Sequence, residues 1–145
     1  MILPGRELIS CQLGSHRATH EFQDSPATPV LVHNCGTSPN DRAGTDFTDN
    51  GRQTVYDANE AKNGGILKCD YCGRTVERRA SRDANGNAIK GLPDDAQIDH
   101  EIPKAQGGCG AAHNGCVACR ACNRDKSAKT VEQWDDELRD FLPEE

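Results

Sequence analysis

Apolar residues in this chain come in short, widely separated groups, and their spacing marks out the elements. Near the C-terminus Val131, Trp134, Leu138 and Phe141 recur at helical intervals, which predicts a helix with one apolar stripe. Thr130 precedes it and Gln133 follows three residues later, the arrangement of a capping box. Ile98-Asp99-His100-Glu101-Ile102 alternates apolar and polar positions, as a half-buried strand does, and Pro103 ends it. Ile66 to Val76 reads as a strand, a knuckle and a second strand around Cys69 and Cys72. Thr54 to Lys62 predicts a short helix stopped by Asn63-Gly64-Gly65, and Asp83-Ala84-Asn85-Gly86-Asn87 predicts a turn. Gly107-Gly108 predicts a loop, and Asn114 to Ala128 a helix bearing Cys119 and Cys122. Residues 35–53 are rich in Gly, Asp, Asn, Thr and Ser without periodicity and read as a linker. No internal repeat is visible. The longest strongly apolar run is Val30-Leu31-Val32, so no membrane span is expected. Pro4, Gly5, Arg6 and Glu7 break the apolar start after Met1, so no signal peptide is expected either.

Composition changes this picture by removing the core. The 145 residues suit one domain, or one small domain with flanks. Only 34% are apolar, six are aromatic, and the mean hydropathy is -0.78. A chain this polar is either partly unstructured or stapled by something other than apolar burial. Eight cysteines are the candidate staple.

Cys69/Cys72 and Cys119/Cys122 are both Cys-x-x-Cys pairs, separated by 46 residues. Two such pairs read as a four-thiolate zinc site, each pair spanning one edge of a tetrahedron. Gly73 after the first pair permits the tight turn that aims backbone amides at sulfur. The competing reading is a disulfide scaffold, which fits poorly because bridges between cysteines so close in sequence are strained. Cys109 and Cys116 flank a Gly/Ala stretch. They are open to a local disulfide, to packing in small spaces, or to metal ligation.

Charge is unevenly spread. Residues 69–130 carry ten basic and eight acidic side chains, whereas 131–145 carry one and seven. The acidic balance of the whole chain (-6) therefore lives in its tail. The mildly basic cysteine module remains compatible with nucleic acid.

Asp99-His100 is an unusual ionisable pair on a short strand, and its surroundings extend the pattern. Pro103 lies three residues after the histidine, Asn114 fourteen after, and Asn123 directly follows the last paired cysteine, with Lys126 three beyond. Cys69-x-x-Cys72, Asp99-His100-x-x-Pro103, Gly107-Gly108, Asn114, Cys119-x-x-Cys122-Asn123 and Lys126 together resemble the HNH endonucleases, the ββα-metal fold with a four-cysteine zinc knuckle, over about residues 66–134. The resemblance implies His100 as general base, Asn114 orienting it, and Asp99 and Asn123 binding one divalent metal. With Asn123 in place of the frequent histidine, the site is all-oxygen and favours magnesium. Glu101 either adds a ligand or faces solvent, and solvent is the favoured reading.

Elementary chemistry agrees. A neutral histidine can take a proton from water, while a carboxylate and an amide oxygen suit a hard cation. Residues 69–130 contain only six Val, Leu or Ile, so zinc rather than a core would fix the distance between Asp99 and Asn123. Arg120, Arg124 and Lys126, with Lys129, lie on or after the helix bearing Asn123. They are expected to meet phosphate, the bland alternative being a solvated face.

The expected fold is α+β: a small zinc-stapled ββα-metal module with flanking helices and an extended N-terminal leader. Residues 66–145 form the nuclease domain, and residues 35–65 a linker with a short helix. Thr28-Pro-Val-Leu-Val-His-Asn-Cys35 resembles the C-terminal end of Hint (intein-like) domains, with His33, Asn34 and Cys35 at the cleavage-site positions and His20-Glu-Phe-Gln as the preceding strand. Residues 1–34 then read as a Hint remnant. A Hint end joined to a nuclease is the arrangement of bacterial polymorphic toxins. It implies DNA as target, a cognate immunity protein as partner, and delivery into a rival cell's cytoplasm. Two other readings stay open: a zinc-knuckle module that binds nucleic acid or protein without cutting, and a stand-alone restriction or repair nuclease.

Overall fold

The computed structural model describes residues 42–140. The expected leader and Hint remnant therefore lie outside the described residues. Helix α1 spans Asp49–Lys62, strand β1 Ala96–His100, strand β2 Gly115–Cys119, helix α2 Arg120–Lys126 and helix α3 Val131–Asp140. Short 3-10 turns cover Lys104–Gln106 and Ala112–Asn114. The result is a small α+β unit built on one two-stranded sheet. No helix among the described residues is long and apolar enough to cross a membrane.

Helix α1 begins five residues before the expected Thr54. Thr48 caps it, its hydroxyl accepting the Gly51 amide at 3.0 Å, and Asp49 favours the positive end of the helix dipole. The segment read as a linker therefore supplies a helix start and Phe47, which is buried. Helix α1 then joins the core through Val55 and Tyr56. Its buried Asn59 clasps the knuckle: Nδ2 donates to the Lys68 carbonyl and to Asp70 Oδ1, while Oδ1 accepts the Lys68 amide.

The first cysteine pair sits on a tight reversal, with Lys68 bridged to Thr75 and the Cys69 amide donating to the Arg74 carbonyl. Asp70, inside the pair, docks this knuckle on β2. Its amide donates to the Val117 carbonyl at 2.7 Å, and its Oδ2 accepts the Val117 amide at 2.9 Å. On the other edge β2 pairs antiparallel with β1, setting Ile98 opposite Val117 and Asp99 opposite Cys116. The expected helix over 114–128 is corrected here: residues 115–119 are a strand, and only 120–126 are helical. Every β2 residue is buried, so no polar alternation announces it. Cys119 is the extended N-cap of α2, its sulfur accepting the Cys122 amide at 3.3 Å.

Residues 77–95 form an arm between knuckle and β1. Asp83 closes its turn by accepting the amides of Asn85 and Asn87. Arg79 ties the base together through Glu77, Asp94 and Asp95. Helix α3 has the expected capping box: the Gln133 amide donates to Thr130 Oγ1 at 3.3 Å, and Gln133 Oε1 accepts the Thr130 amide at 2.9 Å. Trp134 is buried, its indole N–H donating to Asp125 and its ring meeting Tyr71 edge-on at 5.5 Å. The Leu138 side chain and Phe141, the rest of the expected stripe, lie outside what is described.

Candidate active site

The four paired cysteines converge. Their sulfurs all lie within 4.8 Å of one another, and Cys72 Sγ is 3.8 Å from Cys119 Sγ. A zinc ion with bonds of about 2.3 Å to four sulfurs has tetrahedral edges of about 3.8 Å, so the spacing suits that ion. A hydrogen bond from Cys122 pulls the Cys69 thiol down to about 4, and the same bond pushes Cys122 up; burial raises Cys119. Four crowded sulfurs cannot all ionise by themselves, and a soft dication removes that conflict.

A second polar cluster joins β1 to α2. Gln97 and Asp99 share one face of the strand because side chains alternate with period two. Asn123 and Lys126, nearly one turn apart on α2, meet them. Asn123 Nδ2 donates to Gln97 Oε1 at 2.7 Å, and Lys126 Nζ lies 2.9 Å from Asp99 Oδ2. Tyr71, between the first two cysteines, donates its hydroxyl to the same Oδ2 at 2.7 Å. The Tyr71 phenol is held firmly protonated, first by burial and then by the neighbouring Asp99 charge. Because Gln97 occupies the amide nitrogen of Asn123, the amide oxygen is the atom left for a cation. Both contacts to Asp99 fall on Oδ2.

Lys126 corrects the expectation of a phosphate contact. Its side chain is 0% exposed, and Nζ also donates to the His100 carbonyl at 3.0 Å. It is an internal counter-ion to Asp99 rather than a surface cation. Arg124 is exposed and Arg120 half-buried, so these two remain within reach of a ligand.

His100 projects from the opposite side of β1. Its Nε2 lies 3.1 Å from the Thr45 carbonyl, and its ring packs on Phe47 at 4.2 Å between centroids. A carbonyl only accepts, so the neutral ring carries its hydrogen on Nε2 and leaves Nδ1 as the basic atom. Burial holds the imidazole below its ordinary value of 6.5, against weaker raising effects from Thr45 and Asp99.

Asn114, expected to orient His100, acts one step away. It is buried, accepts the Ile102 amide at 3.0 Å, and donates to the Ile102 and Cys109 carbonyls. Its own carbonyl accepts the Glu101 amide. It thus clamps the backbone that leaves His100, and it closes the loop through Gly108. A Cβ at Gly108 would lie 1.7 Å from the Ile102 oxygen, so only glycine fits there. Glu101 is half-buried. Cys109 and Cys116 are buried and disulfide-bonded, which corrects the option of metal ligation.

Four participants were not found by reading the sequence. Tyr71 had a usable signal, lying inside a metal-spaced pair. So did Gln97, two residues before Asp99 on the same strand face. Thr45 and Phe47 reach His100 from more than fifty residues away, with no local signal.

No curated protein and no solved structure matches the chain. The segment that contains both cysteine pairs, Asp99, His100, Asn114 and Asn123, residues 69–129, matches the family model of the HNH endonucleases.

Proposed function

We propose that this module is a metal-dependent endonuclease that hydrolyses DNA phosphodiester bonds. The observation that carries the reading is one strand–helix junction, inside the family-matched segment, that gathers the Asp99 carboxylate and the Asn123 amide into one polar cluster, with the half-buried His100 imidazole next along the same strand. Asp99 and Asn123 would hold a divalent cation, with magnesium favoured by the all-oxygen donors. When bound, that cation supplies Lewis acidity at the phosphate and acidifies a water. His100, neutral near pH 7, accepts the proton of the attacking water at Nδ1 while Thr45 holds Nε2. Tyr71 and Lys126 keep the Asp99 carboxylate in place, and Gln97 fixes the Asn123 amide. Asn114 positions His100 through the backbone. Zinc in the four-cysteine cluster holds knuckle and helix together.

Plasmid cleavage with magnesium and with chelator tests this. His100→Ala should lower the rate by about 10²–10⁴-fold while fold and zinc content are retained. Full activity in that variant would sink the mechanism. A second reading, a module that binds without cutting, draws on Lys126 already neutralising Asp99. It predicts DNA binding with no magnesium-dependent cleavage.

The resemblance of residues 28–35 to a Hint terminus supports a role as the delivered end of a bacterial toxin acting in a target-cell cytoplasm. The implied partner is a co-encoded immunity protein. Inhibition of cleavage by the product of an adjacent small gene is the expected result, and its absence counts against the toxin role.

A further inference from the structure

A groove of about 670 Å³ opens between the 77–95 arm, α1 and α2, and Gln97 and Asn123 are among the residues that line it. One wall is Arg52 and Tyr56 of α1, the other Lys90 of the arm and Arg120 of α2. Arg79 also lines it but is engaged by three carboxylates. Arg52, Lys90 and Arg120 make no ion pair among the described residues. Three uncompensated cations in one concavity raise the local potential and favour a polyanion. Of the three large apolar side chains that the described residues expose, two, Ile89 and Leu92, lie in this groove. Cations beside apolar rim residues match a nucleic-acid strand, whose phosphates alternate with sugar and base surfaces.

The groove is built rather than incidental. The backbone amides of Arg120 and Ala121 donate to the Asp95 and Pro93 carbonyls, pinning the returning arm to the start of α2. The Arg120 side chain lies directly against Gly91: a Cβ there would stand 2.5 Å from Arg120 Nε and 2.8 Å from its Cδ. The absence of a side chain at 91 is what lets the guanidinium seat in the concavity.

We propose that this groove holds the DNA strand flanking the scissile phosphate, with Arg52, Lys90 and Arg120 on its phosphates and Ile89 and Leu92 against its sugars and base edges. The inference rests on the nuclease reading, since Asn123 lines the groove. Its test does not depend on cleavage. Binding of a fluorescent DNA duplex is measured across a salt series, with the His100→Ala protein as parent. Each cation in contact with a phosphate adds about 0.9 to the magnitude of the salt slope. Replacing Arg52, Lys90 and Arg120 together by Ala should flatten the slope by about two to three units and weaken binding at low salt by more than about tenfold. Gly91→Ala keeps every charge but turns the Arg120 head out, and it should weaken binding several-fold. Arg42→Ala, which removes a charge outside the groove, should change affinity less than about twofold. Unchanged zinc content and melting midpoint establish that the variants fold. Affinity and slope equal to the parent's in both groove variants would overturn the proposal, as would an Arg42→Ala loss as large as theirs. A protein that binds through the groove but never cuts would instead leave the groove standing and remove the nuclease reading.

Discussion

Lys126 carries the largest consequence of any single side chain here. A fully buried ammonium is tolerable only because Asp99 and the His100 carbonyl receive its hydrogen bonds. Removing one member of a buried pair leaves the other uncompensated. Lys126→Met should therefore destabilise the protein by about 3–5 kcal/mol, measured by denaturant unfolding. Adding Asp99→Asn should recover much of that loss, because no unpaired charge then remains. A simple surface lysine would move neither value. Tyr71→Phe is the gentler probe. It keeps the ring edge on Trp134 but removes a hydrogen bond to a carboxylate, worth about 1.5–3 kcal/mol. With Asp99 less firmly held, cleavage should need more magnesium at unchanged zinc content; an unaltered magnesium titration would separate Tyr71 from the site. The residues of the candidate site were legible because they sit in short, spaced motifs: the two cysteine pairs, Asp99-His100 and Asn123. The burial of Lys126 was not legible, since it depends on Tyr71 and Asp99 arriving from 55 and 27 residues away.

At the scale of elements, side-chain hydrogen bonds join the strands and helices around a small apolar cluster. The buried cluster comprises Val55, Tyr56, Leu67, Cys69, Val76, Val117, Ala118 and Cys119. Two of these eight come from α1, which lies outside the 66–145 segment expected to be the nuclease domain. Helix α1 also supplies Asn59, whose three hydrogen bonds to the knuckle satisfy both Lys68 backbone groups and part of Asp70. A fragment of residues 66–145 should consequently fail to fold cooperatively with zinc present, while residues 42–145 should fold. Circular dichroism melts of the two fragments decide it, and equal melting would show α1 to be dispensable. The start of α1 escaped the pattern because its first turn, residues 49–53, is entirely polar and is set by the Thr48 cap. Strand β2 escaped because a strand buried on both faces has no alternation, and a run of small residues and cysteines reads equally well as helix. Helix α3 was legible because it keeps one wet face, whereas β1 was legible only in part: it runs over Ala96–His100 rather than 98–102, and the polar Asp99, not an isoleucine, is its buried residue.

Across the described residues as a whole, a metal held by the two cysteine pairs would do what a larger core does elsewhere. The first pair lies on the knuckle, the second on the β2–α2 junction, and between them they fix the strand–helix unit that carries Asp99 and Asn123. The knuckle's own inner residues extend that control, Asp70 binding β2 and Tyr71 binding Asp99. A metal held at the cysteines and the proposed chemistry at Asp99 would therefore be mechanically coupled, one hydrogen bond apart. For structural zinc the binding free energy is folding free energy, about 10–16 kcal/mol in small zinc modules near pH 7. That exceeds the stability so small a core can supply. Stripping the metal with a strong chelator should unfold residues 42–140, and added zinc should restore them. Replacement of any one of Cys69, Cys72, Cys119 or Cys122 by Ser should have the same effect. Lowering the pH should release the metal as protons compete for the thiolates, so folding and zinc content should be lost together along one titration. Zinc content and far-ultraviolet dichroism followed in the same samples provide the check. A protein that stayed folded after its zinc was gone would mean that the disulfide-bonded cysteines and the small core suffice, and the four-cysteine cluster would lose its structural role.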